Sequence, residues 1–128
     1  MGSFINFFLT KKVFYLYCIV LILLIALPLN TASELNNITI FQLRGDYFFH
    51  ILLFLPWMFF RKVFHIRLLV WLLLGLLFAS ATEGLQYLLP WRAFNVNDMA
   101  ANGMGVLVGS LLFVIYVKGR GEFLRDEK

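Results

Sequence analysis

The sequence predicts an all-α integral membrane protein, a single domain of about four transmembrane helices spanning residues 1–128, with both termini in the cytoplasm. Composition predicts the fold class, because 62% of the residues are apolar, only 14% are charged and the mean hydropathy is +0.85. A soluble domain of this length would need a more polar surface. A second observation, the division of the chain into long apolar segments, predicts the spans. A third, the uneven placement of basic residues, predicts their orientation.

Four apolar segments are predicted to span the membrane, over residues 13–29, 47–64, 68–89 and 99–117. Crossing the hydrocarbon core takes about 20 residues, within a range of about 17 to 25. The third and fourth segments meet this length, and the first is near its lower limit. A cleavable signal peptide is the alternative for the first segment, although its apolar run is long and its cleavage pattern is poor.

The second segment is the least regular of the four. It contains Pro56, which removes a helix hydrogen bond and predicts a kink, and it carries His50 near one end. A tilted span and a half-inserted hairpin are the two alternatives for this segment. We adopt the span.

Charge placement predicts the orientation of the bundle. Nine basic residues flank the spans on one side: Lys11, Lys12, Arg61, Lys62, Arg67, Lys118, Arg120, Arg125 and Lys128. The other side has only Arg44 and Arg92. The positive-inside rule therefore predicts a multi-pass protein of the cytoplasmic membrane with both termini inside. Basic residues that flank spans are partners of the lipid bilayer, and we expect no nucleic acid partner.

The polar residues of the apolar segments gather at the opposite, extracytoplasmic ends of the spans. An ionisable or amide side chain in hydrocarbon is costly unless it is paired or hydrated, so such residues are functional candidates. Three pairs have helical spacing, which places the two members of each pair on one helix face. The candidate polar site comprises Asp46 with His50, Glu83 with Gln86, Asp98 with Asn102, and Arg92 in the loop between the last two spans.

Several of these residues also have a purely structural interpretation. Asp98 follows Asn97 at a helix start, where a carboxylate can cap free N–H groups, and Asn102 could bond to a neighbouring helix. Small residues recur every four positions at Ala101, Gly105 and Gly109, which predicts close helix packing and leaves a homo-oligomer open. The single cysteine and the absence of a metal-like residue cluster predict no disulfide, no metal and no cofactor.

The polar residues resemble the motifs of the VanZ-like family of small bacterial membrane proteins. The motifs are D-x-x-x-H from Asp46, E-x-x-Q from Glu83, P-x-R from Pro90 and D-x-x-x-N-x-x-G-x-x-x-G from Asp98 to Gly109. One departure is Tyr47, where the family often has lysine. The resemblance implies a protein of the bacterial cell envelope, and its namesake's association with teicoplanin resistance implies a link to antibiotic resistance.

Two function classes follow from the residues and the resemblance. The first is a binding protein whose outer polar site recognises a cell-envelope lipid, a cell-wall intermediate or a lipophilic glycopeptide. The second is a small membrane hydrolase or transferase, with His50 or Glu83 as general base and Arg92 holding an anionic group. The chain contains no recognisable nucleophile motif, so no catalytic residue is assigned and binding is favoured. A proton-coupled carrier is a weaker third alternative, because no repeat pair is evident.

Overall fold

A computed structural model describes residues 9–26, 39–40, 43–92 and 94–120, and these residues are almost entirely helical. The α-helices are α1 (Lys11–Ala26), α2 (Gly45–Phe54), α3 (Arg61–Phe64), α4 (Leu68–Tyr87) and α5 (Val96–Gly119), and a 3-10 helix (Leu55–Phe60) joins α2 to α3. The predicted all-α class is confirmed. One addition is a minimal antiparallel pairing of two-residue strands, β1 (Thr39–Ile40) with β2 (Leu43–Arg44), which leads directly into α2.

Three helical stretches in the described part of the chain are long and apolar enough to cross a membrane: Gly45–Phe64, Leu68–Tyr87 and Val96–Gly119. They correspond to the predicted second, third and fourth spans. Each carries large apolar side chains on its outward face, such as Leu52, Leu77 and Leu111, as expected for contact with lipid. The first predicted span is helical over Lys11–Ala26 and ends there at 16 residues, and residues 27–30 lie outside the described part. The count of four spans therefore stays a prediction.

We call the continuous helical stretch Gly45–Phe64 the second span. Pro56 changes the helix type within it. The α-helix ends at Phe54, and the 3-10 helix that follows has Pro56 in its first turn. Proline lacks an N–H group and cannot continue the α-helical hydrogen-bond ladder, whereas the first turn of a new helix has no need of that donor. The irregularity predicted from Pro56 is thus a change of helical pitch within a continuous span.

Close approach of α5 to the second span depends on glycine. A Cβ atom placed at Gly105 would collide with the Ile51 carbonyl oxygen, and one at Gly109 would collide with the Leu55 carbonyl oxygen. Ala101 is buried one turn before Gly105 on the same helix. The close helix packing predicted from these three small residues is therefore present, and its neighbour is the second span.

Aromatic side chains fill the core at one end of the bundle, which we call the aromatic end: Phe14, Trp57, Phe60, Phe64 and Trp71. The indole rings of Trp57 and Trp71 stack with centroids 5.0 Å apart. Each indole N–H donates to the other residue's backbone carbonyl, at 3.1 Å from Trp57 and 3.0 Å from Trp71. These reciprocal bonds fix the α3–α4 turn, where His65 adopts a left-handed backbone conformation (φ 52°).

Basic flanks from three helices also meet at the aromatic end. Lys11 lies over the Phe64 ring, and Lys62 and Arg120 both lie over the Tyr116 ring. Three of the basic residues that the sequence groups on one side of the bundle thus lie at one end of the fold, and Arg125 and Lys128 lie outside the described residues. Which side of the membrane this end faces stays a prediction.

Candidate functional site

The site begins at the start of the second span, where Arg44 and Asp46 form an ion pair. Arg44 Nη2 lies 2.6 Å from Asp46 Oδ2, and the Tyr47 backbone N–H donates to Asp46 Oδ1 at 3.0 Å. The Arg44 guanidinium also lies over the Tyr47 ring, 5.3 Å from its centroid. Arg44 therefore places a cation beside Asp46.

The start of α5 is built around Asn95. The Asn95 side-chain oxygen accepts from the Asn97 backbone N–H at 3.0 Å, which makes Asn95 the N-cap of the helix. Its side-chain amide donates to Asp98 Oδ1 at 2.9 Å. The capping role considered for Asp98 therefore belongs to Asn95, while Asp98 lies in the first turn, where the helix dipole favours a carboxylate.

Glu83 lies near the end of α4 and faces the start of α5. Its side chain is 0% exposed, and its Oε1 atom accepts from the Asn95 backbone N–H at 2.9 Å. Asp98, His50 and Arg92 all act electrostatically on the Glu83 carboxylate. Asn95 thus links the two acids, since its backbone binds Glu83 and its side chain binds Asp98.

His50 links the second span to α5. Its Nδ1 atom lies 2.8 Å from Asn102 Oδ1, and because an amide oxygen only accepts, this contact is a hydrogen bond in the tautomer that has its proton on Nδ1. Its other ring nitrogen, Nε2, lies 3.9 Å from Asp98 Oδ2, an ion-pair distance when the ring is protonated. His50 is therefore held in one orientation by Asn102 and faces Asp98.

Gln86 and Arg92 turn toward the end of α1. Gln86 donates to the Ile25 carbonyl at 3.4 Å, and Arg92 donates to the Leu24 carbonyl at 3.5 Å. The last carbonyls of a helix lack intrahelical partners, and a cation at that end is favoured by the dipole. These hydrogen bonds of Gln86 and Arg92 are thus made to a helix C-terminus, although Arg92 also interacts electrostatically with Glu83.

The structure therefore brings five of the seven predicted site residues into one network and adds two that the sequence did not single out. We call this network the polar cluster: Arg44, Asp46, His50, Glu83, Asn95, Asp98 and Asn102. Asparagine is among the favoured N-cap residues, which is the signal that points to Asn95, but it applies only once the start of α5 is known. Arg44 gave no comparable local signal.

In the polar cluster, one carboxylate oxygen and one side-chain amide nitrogen are buried without a hydrogen-bond partner among the described residues. They are Glu83 Oε2 and Asn102 Nδ2, and both residues are 0% exposed. A buried polar atom left unpaired costs about 1–3 kcal/mol, so most such atoms in native proteins have a partner. One is an acceptor and the other a donor.

A separate apolar crevice lies between α1 and α4. Its volume is about 20 Å³, and it is lined by Ile22, Ile25, Ala26, Thr82, Leu85, Gln86 and Leu89. The lining includes no ionisable residue, so the crevice is distinct from the polar cluster. Within the described ranges, no group of three potential metal ligands is present.

Comparison with known proteins identifies one family. The family model described as VanZ/LLP1 matches residues 13–117, which include α1, the second span, α4 and most of α5. The match contains the whole polar cluster and both glycines that contact the second span. No curated protein and no solved structure matches the chain significantly.

Proposed function

The chain belongs to the VanZ/LLP1 family, and from this premise we propose that it is a binding protein of the cell envelope. Its polar cluster would recognise the polar part of an amphiphile at the extracytoplasmic face of the membrane. The amphiphile would be an envelope lipid, a lipid-linked cell-wall intermediate or a lipophilic glycopeptide. Binding of such a molecule would also account for a contribution to glycopeptide resistance.

One observation carries this proposal: the burial of Glu83 and Asn102 with one unpartnered atom each. In the membrane interior, a carboxylate or amide without a partner is unfavourable, and such residues mark binding or transport sites. A structural role alone would be served by apolar residues or by a fully bonded network. The open hydrogen-bonding capacity is what a ligand can use.

The position of the cluster also supports an amphiphilic ligand. Arg44 and the two half-buried residues His50 and Asp98 lie at the ends of spans, where headgroups meet hydrocarbon. The outward faces of the same spans are apolar. A ligand with a polar headgroup and apolar chains can contact both surfaces from within the bilayer.

The test is mass spectrometry of lipids that copurify with the protein after mild extraction. We expect wild-type protein to retain a distinct amphiphile and Glu83→Gln to lose at least about tenfold of it, as expected for one lost buried hydrogen bond to a charged group. Glu83→Gln preserves size, so the free energy of unfolding should change by less than about 2 kcal/mol. Ser110→Ala is the matched control, because the Ser110 hydroxyl donates to the Val106 carbonyl of its own helix. Equal retention by wild type and Glu83→Gln would refute the proposal.

A second candidate, a membrane hydrolase or transferase, is favoured by the orientation of His50. With Nδ1 donating to Asn102, the neutral ring directs the basic Nε2 atom toward the side of Asp98, as a general base requires. Conversion of the bound amphiphile during incubation, seen in the same mass spectra and lost in His50→Gln, would favour catalysis over binding.

A further inference from the structure

We infer that the polar cluster selects an uncharged, hydroxyl-bearing headgroup, such as a sugar or another polyol, in preference to a phosphate. The inference rests on the proposed function and assigns the chemical class of the ligand. It follows from the hydrogen-bonding character of two buried atoms and from the charges around them.

The two unpartnered atoms have opposite hydrogen-bonding roles. Glu83 Oε2 of the ionised carboxylate can only accept a hydrogen bond, and Asn102 Nδ2 can only donate one, and neither has a partner among the described residues. A hydroxyl group satisfies both, because it has one donor hydrogen and two acceptor lone pairs. Adjacent hydroxyls on a sugar ring offer the same two roles at neighbouring positions. A phosphodiester or a fully ionised phosphate offers only acceptors, so it could serve Asn102 but would leave the ionised Glu83 carboxylate unsatisfied.

Charge in the polar cluster also disfavours a phosphate. This region contains three carboxylates, which interact electrostatically with one another or with the same neighbouring groups: Asp46, Glu83 and Asp98. The cations that act on the two inner acids are Arg44, Arg92 and, when protonated, His50. Arg44 already forms a 2.6 Å ion pair with Asp46. A phosphate beside Glu83 would place like charges together in a region of low dielectric constant, whereas a hydroxyl adds no charge.

Hydrogen bonds around the two atoms hold them in place for such a ligand. Asn95 fixes the other carboxylate oxygen of Glu83, and His50 fixes the amide oxygen of Asn102. Each side chain therefore has one atom anchored by the protein and one atom without a partner among the described residues. Preorganisation of this kind reduces the entropic cost of binding and increases selectivity for a group of matching polarity.

The experiment compares two lipids with the same acyl chains. Full-length protein is reconstituted in phosphatidylcholine nanodiscs that contain equal fractions of glucosyl diacylglycerol and phosphatidic acid, and retained lipids are measured by native mass spectrometry. We expect wild-type protein to enrich the glucosyl lipid at least about tenfold over phosphatidic acid, the factor that corresponds to one buried hydrogen bond. Excess methyl glucoside displaces the lipid if the free sugar is sufficient and leaves it bound if the lipid chains are required.

Two variants test the roles of the two atoms. Asn102→Asp keeps an oxygen for His50 but replaces the donor with an acceptor, and Glu83→Gln replaces the carboxylate with an amide. Both should abolish the preference for the glucosyl lipid, whereas Ser110→Ala should keep it. Thermal unfolding identifies a variant that fails to fold, and the other variant then decides. Enrichment of phosphatidic acid by wild-type protein would overturn the inference and leave the proposed amphiphile site intact. Retention of neither lipid above the phosphatidylcholine background would overturn the inference, and the copurification experiment decides the proposed amphiphile site separately.

Discussion

The aromatic end and the polar cluster both bury polar groups. The buried indole groups of the aromatic end have hydrogen-bond partners, whereas two buried side chains of the polar cluster each keep an atom without one among the described residues. At the aromatic end, Trp57 and Trp71 each donate to the other's carbonyl, and the buried Arg61 donates through Nε to the Ile66 carbonyl at 2.8 Å. In the polar cluster, Glu83 and Asn102 each retain a buried atom without a partner among the described residues. The first arrangement is typical of a scaffold, and the second is typical of a site that binds something further.

The physical basis of this difference is the cost of an unsatisfied buried group. A protein can place tryptophan N–H groups in its core at little cost when backbone carbonyls are within reach. It can place a carboxylate there only with several donors, and among the described residues the Asn95 N–H is the donor to Glu83. Substitutions at the aromatic end should therefore affect mainly folding, and substitutions of the unpartnered residues should affect mainly binding.

The largest expected effect is that of Trp57→Ala. The change removes the stacked ring and the hydrogen bond to Trp71, and truncation of a buried aromatic side chain costs about 3–5 kcal/mol. The measurement is the free energy of unfolding in mild detergent. Trp91→Ala is the matched control, because Trp91 is 56% exposed and its indole donates to the Ala26 carbonyl, which predicts a loss of about 1 kcal/mol. Equal losses would show that the aromatic end is not the stabilising core.

A smaller effect is expected for Gly105→Ala, at the contact between α5 and the second span. The added methyl group would meet the backbone of Ile51, which cannot move aside as a flexible side chain can, and overpacking costs about 1–3 kcal/mol. Gly84→Ala is the control, because a Cβ atom at Gly84 has no neighbour within 4 Å. Alanine is the better helix former by about 0.5–1 kcal/mol, so the control should gain stability. Thermal midpoints that shift in the same direction would contradict this account of the glycine contacts.

Sequence reasoning succeeded where the relevant signal was local. The spacing of Gly105 and Gly109 predicts close packing because it depends only on helical periodicity, and Pro56 predicts an irregular span because its effect is on its own turn. The placement of Asp46, His50 and Asp98 at one end follows from the order of the spans.

The sequence could not show contacts that depend on how separate helices meet. Gln86 and Arg92 bond to carbonyls at the end of α1, more than sixty residues away in sequence for each bond. The Trp57–Trp71 pair likewise requires the turn at His65 to return α4 along the second span. Asn95 was missed because its cap and its bond to Glu83 are formed by a loop residue whose role depends on where α5 begins.

The smallest expected effect on stability is that of single cysteines introduced at the two ends of the bundle. Their labelling shows which side of the membrane the polar cluster and the aromatic end face. In a Cys18→Ala background, a cysteine at the exposed Phe94 position would lie beside the polar cluster, and one at the exposed Arg67 position would lie at the aromatic end. Both sites are on the surface, so each change should alter stability by less than about 0.5 kcal/mol. The positive-inside rule predicts that an impermeant thiol reagent labels Phe94→Cys in intact cells and labels Arg67→Cys only after the membrane is opened. The reverse pattern would place the polar cluster in the cytoplasm, and an amphiphile would then have to be presented from the inner leaflet.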